Sequence, residues 1–224
     1  MIAVVGGFFA MRFFNAQNDI LGGGSSIEIL DLDTSEVTEE DKDDHIVPPY
    51  HPRFLSIPSI GVNRVRILEM GVTQPNAQGA QQIEAPVGIH DVAWFNCQIN
   101  PIVANRCAVP QKPGSIDTTR ASVINGHACF STTYRCVFDR LSELRNGDKI
   151  IVELGNGTEI TYTVRLVEIR ALEDVDMAKV LRPIEFGREG LNLITCAGEF
   201  SGLRDSQGVL TASQRVLVYT IRED

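Results

Sequence analysis

The chain has 224 residues, 43% hydrophobic and 22% charged, which suits one domain plus a tail at roughly 100–200 residues per domain. A chain of this length buries around 70% of the surface its unfolded form exposes, so an ordinary core is within reach. Lys and Arg number 20 against 29 Asp and Glu, giving a net charge of −9 and a pI near 5.0. Phosphate binding needs a basic face, so this balance excludes nucleic acid as an expected partner.

Residues 1–11, Met-Ile-Ala-Val-Val-Gly-Gly-Phe-Phe-Ala-Met, are apolar on every side. As a helix they reach about 16 Å, roughly half a bilayer core. No basic stretch precedes them and no small-residue cleavage site follows, unlike a complete signal peptide. Residues 1–20 are therefore expected to be part of an N-terminal membrane anchor, the alternative being a short apolar helix packed on the domain.

Residues 21–50 read as an acidic flexible linker. Between Ser26 and His45 lie nine acids and one base, Lys42, which puts −8 of the net charge there and leaves a nearly neutral remainder. The stretch follows Gly22-Gly23-Gly24-Ser25-Ser26, ends at Pro48-Pro49 and contains no aromatic residue. Glycine leader, self-repulsion and proline exit predict an extended, solvated tether that lifts the domain off an anionic membrane surface. The Asp-x-Asp-Gly spacing of a calcium-binding hand is absent.

Residues 51–224 carry short β-type runs at 62–68, 122–126, 148–154, 158–172, 191–195 and 214–221. Gly155-Asn156-Gly157 forms the turn between the third and fourth. In the last run Arg215, Leu217, Tyr219 and Ile221 alternate with Val216, Val218 and Thr220. Helical signals are confined to 136–144 and 176–181. The pattern predicts an all-β barrel or sandwich.

Of five cysteines, Cys97 with Cys107 and Cys129 with Cys136 form two local pairs, and Cys196 is left over. Neither pair has the Cys-x-x-Cys spacing of a zinc site, so no metal is expected. Two short-loop disulfides suit an oxidising exterior; four cysteines allow three pairings, and four reduced buried thiols are the bland alternative. Cys196 sits where an apolar strand runs into Ala197-Gly198, a position at which a thiolate could meet a ligand. A nucleophilic cysteine needs a proton partner and a group that stabilises an oxyanion. His45 and His51 lie in or beside the linker and His90 in a loop, whereas His127 closes an apolar run just as Cys196 does. Two reactive groups at strand ends can share one barrel rim, which gives His127 a modest lead over His90.

Ile124-Asn125-Gly126-His127, Phe138-Asp139-Arg140-Leu141 with Leu144-Arg145-Asn146-Gly147-Asp148, Leu193-Ile194-Thr195-Cys196-Ala197-Gly198 and Gln214-Arg215-Val216-Leu217-Val218-Tyr219 resemble the sortases, in the family's order. Ala85-Pro86-Val87-Gly88 is similar to the loop before their active-site histidine strand. The resemblance spans residues 53–221, and the compact form is closest to the class E and F sortases. It implies a closed eight-stranded β-barrel with a few short helices. It also implies a membrane-anchored extracellular transpeptidase that cleaves a Leu-Pro-x-Thr-Gly-like sorting signal and joins it to an amine, on a cell-wall precursor or a pilin lysine, without a cofactor.

Carried over by motif, Cys196 is the nucleophile, His127 the acid/base and Arg215 the oxyanion stabiliser. Thr195, Ala197 and Asn125 support the site or the substrate. The sequence departs from the family at Asn192, where threonine is usual, in an insertion-like stretch at 96–120, and in possessing Cys129 and Cys136. The other classes compatible with the residues are a secreted cysteine hydrolase, in which water resolves the thioester, and a catalytically inactive barrel serving as an interaction module.

Overall fold

The computed structural model describes residues 32–72, 83–99, 111–115, 118–129, 133–199 and 211–223. Eight strands close into a barrel in the order β1-β2-β3-β4-β7-β8-β6-β5. They are β1 (Pro52–Ile57), β2 (Val62–Met70), β3 (Val92–Phe95), β4 (Ala121–Gly126), β5 (Lys149–Leu154), β6 (Glu159–Ala171), β7 (Gly190–Ala197) and β8 (Gln214–Arg222). β2 pairs with β3 and β4 with β7 in parallel; the remaining pairs are antiparallel. Closure leaves no unpaired strand edge, the recurrent liability of an open sheet.

The interior is filled by inward-facing aliphatic and aromatic residues. Leu55, Ile57, Ile67, Val92, Trp94, Ile124, Ile150, Val152, Tyr162, Val164, Leu191, Leu193 and Val218 are all at most 1% exposed. Phe138 and Leu141, from the predicted helical stretch at 136–144, join this cluster. That stretch is a series of turns with one 3₁₀ turn, Leu141–Glu143, rather than an α-helix. The predicted helix at 176–181 is present as α2 (Met177–Val180), N-capped by Asp176, whose carboxylate accepts from the amides of Ala178 and Lys179. The other α-helix among the described residues, α1 (Glu39–Asp43), precedes it in the chain and was not expected from the sequence.

β8 does not alternate between core and solvent. Val216 and Val218 point inward, whereas Leu217 and Tyr219 on the outer face form a second buried cluster with Val123 and Val180. The β6–β7 connection, which contains α2, covers that face. Outer positions of β8 are apolar for this reason, although a barrel exterior is ordinarily polar.

The acidic segment departs from the expected solvated linker. Its described part is seated on the barrel. Asp33 bridges to Gly88, with its amide donating to the Val87 carbonyl and its carbonyl accepting from Ile89. α1 forms because Thr38 and Asp41 make a reciprocal capping box, and three acids occupy the helix's first turn, where the dipole favours them. Arg53 gathers the far end by donating to the carbonyls of Lys42, Asp43 and His45. The His45 ring meets the Ile67 carbonyl at 3.0 Å and lies edge-on to Phe54. Residues 47–48 then pass so close over Gly155 that a Cβ there would lie 2.4 Å from the Pro48 carbonyl oxygen. Local hydrogen bonding thus overrides charge repulsion across residues 33–50. The expected anchor, residues 1–20, lies outside the described residues, as does the linker's first part. Among the described residues no helix is long and apolar enough to cross a membrane.

Because Arg53 satisfies three carbonyls with one charged group, Arg53→Ala should release the strap. Loss of part-exposed charged hydrogen bonds predicts a stability decrease of about 1–2 kcal/mol in urea unfolding. Faster amide exchange at residues 41–46 is the accompanying sign; exchange unchanged there would show that the strap is held some other way.

Candidate active site

The parallel pairing of β4 with β7 runs from Ala121↔Gly190 to Asn125↔Ile194. Just beyond it the Thr195 hydroxyl donates to the Gly126 carbonyl at 2.8 Å and ties the two strand ends together. Continuing the register places His127 beside Cys196. On the other side of β7, Cys196 pairs directly with Arg215 of β8. Side chains of paired residues share a face, so His127, Cys196 and Arg215 stand in one row across β4, β7 and β8 on the outside of the barrel. The row extends to Arg170 of β6, which pairs with Arg215 and is held by Glu168 at 2.9 Å. Cys196 is a free, half-buried thiol.

Three contacts hold His127. Its Nε2 lies 2.6 Å from the Pro86 carbonyl oxygen. That oxygen can only accept, so Nε2 carries the proton and Nδ1 keeps the lone pair of the neutral ring. Its backbone carbonyl accepts from Phe138 at 2.9 Å. Gly126, immediately before it, packs so tightly on the Phe138 ring that a Cβ would come within 2.8 Å. Burial holds the imidazole below its ordinary value of 6.5, partly offset by the Pro86 hydrogen bond.

The loop that supplies Pro86 is itself anchored. Asp91, 3% exposed, makes a two-pronged pair with Arg66 at 2.8 Å on both arms. Ile89 is fully buried and its carbonyl accepts from Val137. The strap residue Asp33 bonds the same loop from outside. His90, the rival candidate in the sequence, faces Glu36 of the strap at 3.7 Å. Behind His127 the structure joins Cys129 to Cys136, with a Cα–Cα separation of 5.2 Å. Asp139 caps this loop, its carboxylate accepting from the amides of Cys129 at 2.6 Å and Cys136 at 3.0 Å. Cys129, Cys136 and Asp139 are also the one cluster of potential metal ligands among the described residues, and both sulfurs are committed to each other. The pairing expected between Cys97 and Cys107 needs Cys107, which lies outside the described residues.

The remaining candidates have particular places. Arg215 donates from Nη1 to the Ala212 and Gln214 carbonyls, at 2.9 and 2.8 Å, and from Nη2 to the Thr211 hydroxyl at 2.7 Å, so it also orders the approach to β8. Thr195, 4% exposed, points inward and braces the strand ends. Ala197 packs against the interior cluster. Asn125 holds the start of the Pro86 loop through the Glu84 carbonyl. Sequence reading missed the Pro86 carbonyl, the Arg66–Asp91 pair and the Asp139 cap; Pro86 stood within a quoted motif, but a backbone partner carries no side-chain signature.

Residues 55–222 match the Sortase domain family, and the chain belongs to it. Curated protein sequences yield no match. Among solved structures, sortase A from Corynebacterium diphtheriae superposes with a TM-score of 0.51 at 20% identity, covering 80% of this chain and 63% of that one. Sortase C1 of GBS pilus island 1 gives 0.50 at 16% identity, covering 80% and 67%. The chain therefore spans just under two thirds of the sortase A structure, and likeness at these identities establishes the barrel fold.

Two consequences are measurable. The Cys129–Cys136 bond closes the loop that follows His127, so reduction should loosen the histidine and lower turnover several-fold while Cys196, already a thiol, is untouched; unchanged turnover with the bond shown to be broken would refute the brace. His45 and His127 are both held below 6.5, chiefly by burial. The unfolded chain then binds more protons, so their contribution to stability is complete above about pH 6.5 and is lost as pH falls through the lower folded-state values. The urea midpoint should fall between about pH 7.5 and pH 5, and a His45→Gln, His127→Gln double variant should show a flatter decline. An equally steep decline in the double variant would assign the effect to other groups.

Proposed function

We propose that the protein is an extracellular cysteine transpeptidase, tethered to the cell membrane through its N-terminal segment. In this reading it cleaves a Leu-Pro-x-Thr-Gly-like sorting signal and joins the new acyl end to an amine of a cell-wall precursor or a pilin lysine. The observation that carries the reading is the single outer-face row of His127, Cys196 and Arg215, in a chain that belongs to the sortases. The Cys129–Cys136 bond supports an oxidising location, since cytosolic thiols are kept reduced.

Cys196 as thiolate attacks the threonine carbonyl carbon, forming the C–S bond and a tetrahedral oxyanion. The Arg215 guanidinium, charged at any working pH, stabilises that oxyanion and cannot serve as base. Collapse breaks the C–N bond, and the departing glycine amine takes a proton from the imidazolium of His127. The thioester divides one difficult exchange into two easier ones. An incoming amine then loses its proton to neutral His127 and displaces the thiolate, leaving a new amide and the starting enzyme. Nδ1 is the nitrogen available for both transfers, because Nε2 is bound to Pro86.

A peptide library varied around Leu-Pro-x-Thr-Gly, incubated with and without triglycine or a lysine peptide, tests this with products read by mass. The expected result is an amine-joined product, a thioester adduct on Cys196, and loss of turnover in Cys196→Ala. His127→Ala should fall by about 10²-fold or more. Cleavage without amine joining would favour hydrolysis, and cleavage that survives Cys196→Ala would end the assignment of the nucleophile.

A further inference from the structure

The loop that carries Pro86 divides its main-chain bonds between two directions. Toward the barrel, the Pro86 carbonyl meets His127 Nε2 at 2.6 Å and the Ile89 carbonyl accepts from the Val137 amide at 3.0 Å. The Gly88 carbonyl closes a turn on the Asp91 amide at 3.3 Å. Away from the barrel, the Val87 carbonyl accepts from the Asp33 amide and the Ile89 amide donates to the Asp33 carbonyl, both at 2.9 Å. One strap residue thus grips the loop on both sides of Gly88. Glu36 adds a weaker hold, because its carboxylate, 3.7 Å from His90 Nε2, is 89% exposed.

Gly88 shows how little room the loop has to move inward. A Cβ on it would lie 2.8 Å from Asp91 Oδ2, and Asp91 is fixed by Arg66. Outward movement meets no such wall, since the Val87 side chain is 61% exposed. The Asp33 bridge opposes that movement. Pro86 has no amide hydrogen, so it cannot be tied down through its own nitrogen. Its carbonyl is placed by the residue that follows, and Val87 is the residue whose carbonyl Asp33 holds. The bridge therefore acts one residue away from the bond that selects the imidazole tautomer. Asp33 is itself kept in place by its carboxylate, which accepts from the Ser35 amide at 2.9 Å and turns the chain toward the capping box of α1.

We infer that Asp33 is a positioning residue for His127. Its main chain clamps residues 87–89 against the barrel and so keeps the Pro86 carbonyl at hydrogen-bond distance from Nε2. It touches neither the imidazole nor the thiol and acts through the loop. An imidazole that gives and takes back a proton depends on such holding, because a misplacement of about 1 Å costs up to about 10²-fold in rate. The segment ahead of the barrel is in this respect part of the catalytic architecture. Its bearing on turnover rests on the reading of His127 as the acid/base, whereas the clamp stands on the contacts alone.

The test is Asp33→Pro in the full chain, which removes the amide that the Val87 carbonyl accepts from. In the parent the His127 Nε2 proton should give a resolved downfield imidazole signal in NMR, because burial and the Pro86 bond slow its exchange. In Asp33→Pro that proton and the Ile89 amide should exchange about tenfold or more faster, with β4 and β7 amides unchanged. For a sorting-signal peptide joined to triglycine, kcat should fall about tenfold with KM within about twofold. Arg53→Ala, which frees the far end of the strap, is the control, and its imidazole signal should match the parent's. An unchanged signal in Asp33→Pro overturns the clamp, and an equal loss in Arg53→Ala overturns the particular part of Asp33. Faster exchange with unchanged kcat overturns its bearing on the reaction; a rise in KM alone overturns positioning in favour of peptide binding. If Asp33→Pro fails to fold, native-state exchange of the parent in sub-denaturing urea decides. The Asp33 amide, the Ile89 amide and the His127 Nε2 proton should then open together, and an imidazole proton that outlasts both amides overturns the clamp. If the parent turns over no peptide, the functional reading fails, while the imidazole signal still judges the clamp.

Discussion

The short parallel pairing of β4 with β7 is the constraint on which the site depends. Parallel strands cannot be joined by a tight turn, so His127 and Cys196 come from segments separated by a long crossover, and only barrel closure brings them together. The pairing ends at Asn125↔Ile194, and the Thr195 hydroxyl then clamps the Gly126 carbonyl where the strands would otherwise diverge. A one-residue slip would turn every side chain to the opposite face and send the thiol inward. The fully buried Leu191 and Leu193 oppose such a slip, because it would expose both.

Around this pair the protein builds the histidine's surroundings from backbone as much as from side chains. The Pro86 carbonyl selects the tautomer, Phe138 and Gly126 set the height of the ring's backbone, and Asp139 secures the disulfide loop through two amides. Asp91 is nearly excluded from solvent, yet its charge is matched arm for arm by Arg66. A buried carboxylate without that partner would be costly, so the pair and the Pro86 loop stand or fall together.

Strands with a strong β-branched pattern were legible in the sequence: β2, β4, β5, β6, β7 and β8 fall within two residues of expectation. β1 and β3 were not. β1 opens with Pro52 and Arg53 and β3 is four residues long, so neither offers enough alternation to stand out from its neighbours. The rim residues were legible because Cys196 and His127 close apolar runs, and the family's motifs added Arg215. Neither α1 nor the seating of the acidic segment could be read from charge. A capping box and three carbonyls gathered by Arg53 are local contacts, and net charge is blind to them. Asn192 was visible only as a substitution; the two carbonyls that its amide serves, of Val180 and Arg182, belong to a connection whose path over β8 no periodicity records.

The strap's placement also gives the protein's surface an electrical asymmetry. Asp33, Glu36, Glu39, Glu40, Asp41, Asp43 and Asp44 come to rest on the barrel, and Asp33 bonds the very loop that holds His127. Hydrogen bonding keeps Asp33, Glu39 and Asp41 below the usual carboxylate range, so their charge persists into mildly acidic solution. A diffusing ammonium group meets an attractive field on this side and a carboxylate meets repulsion, with a reach of about 8 Å at physiological salt. The segment thus carries its charge onto the barrel surface rather than holding it out in solvent, and the reach of that charge shortens as ionic strength rises.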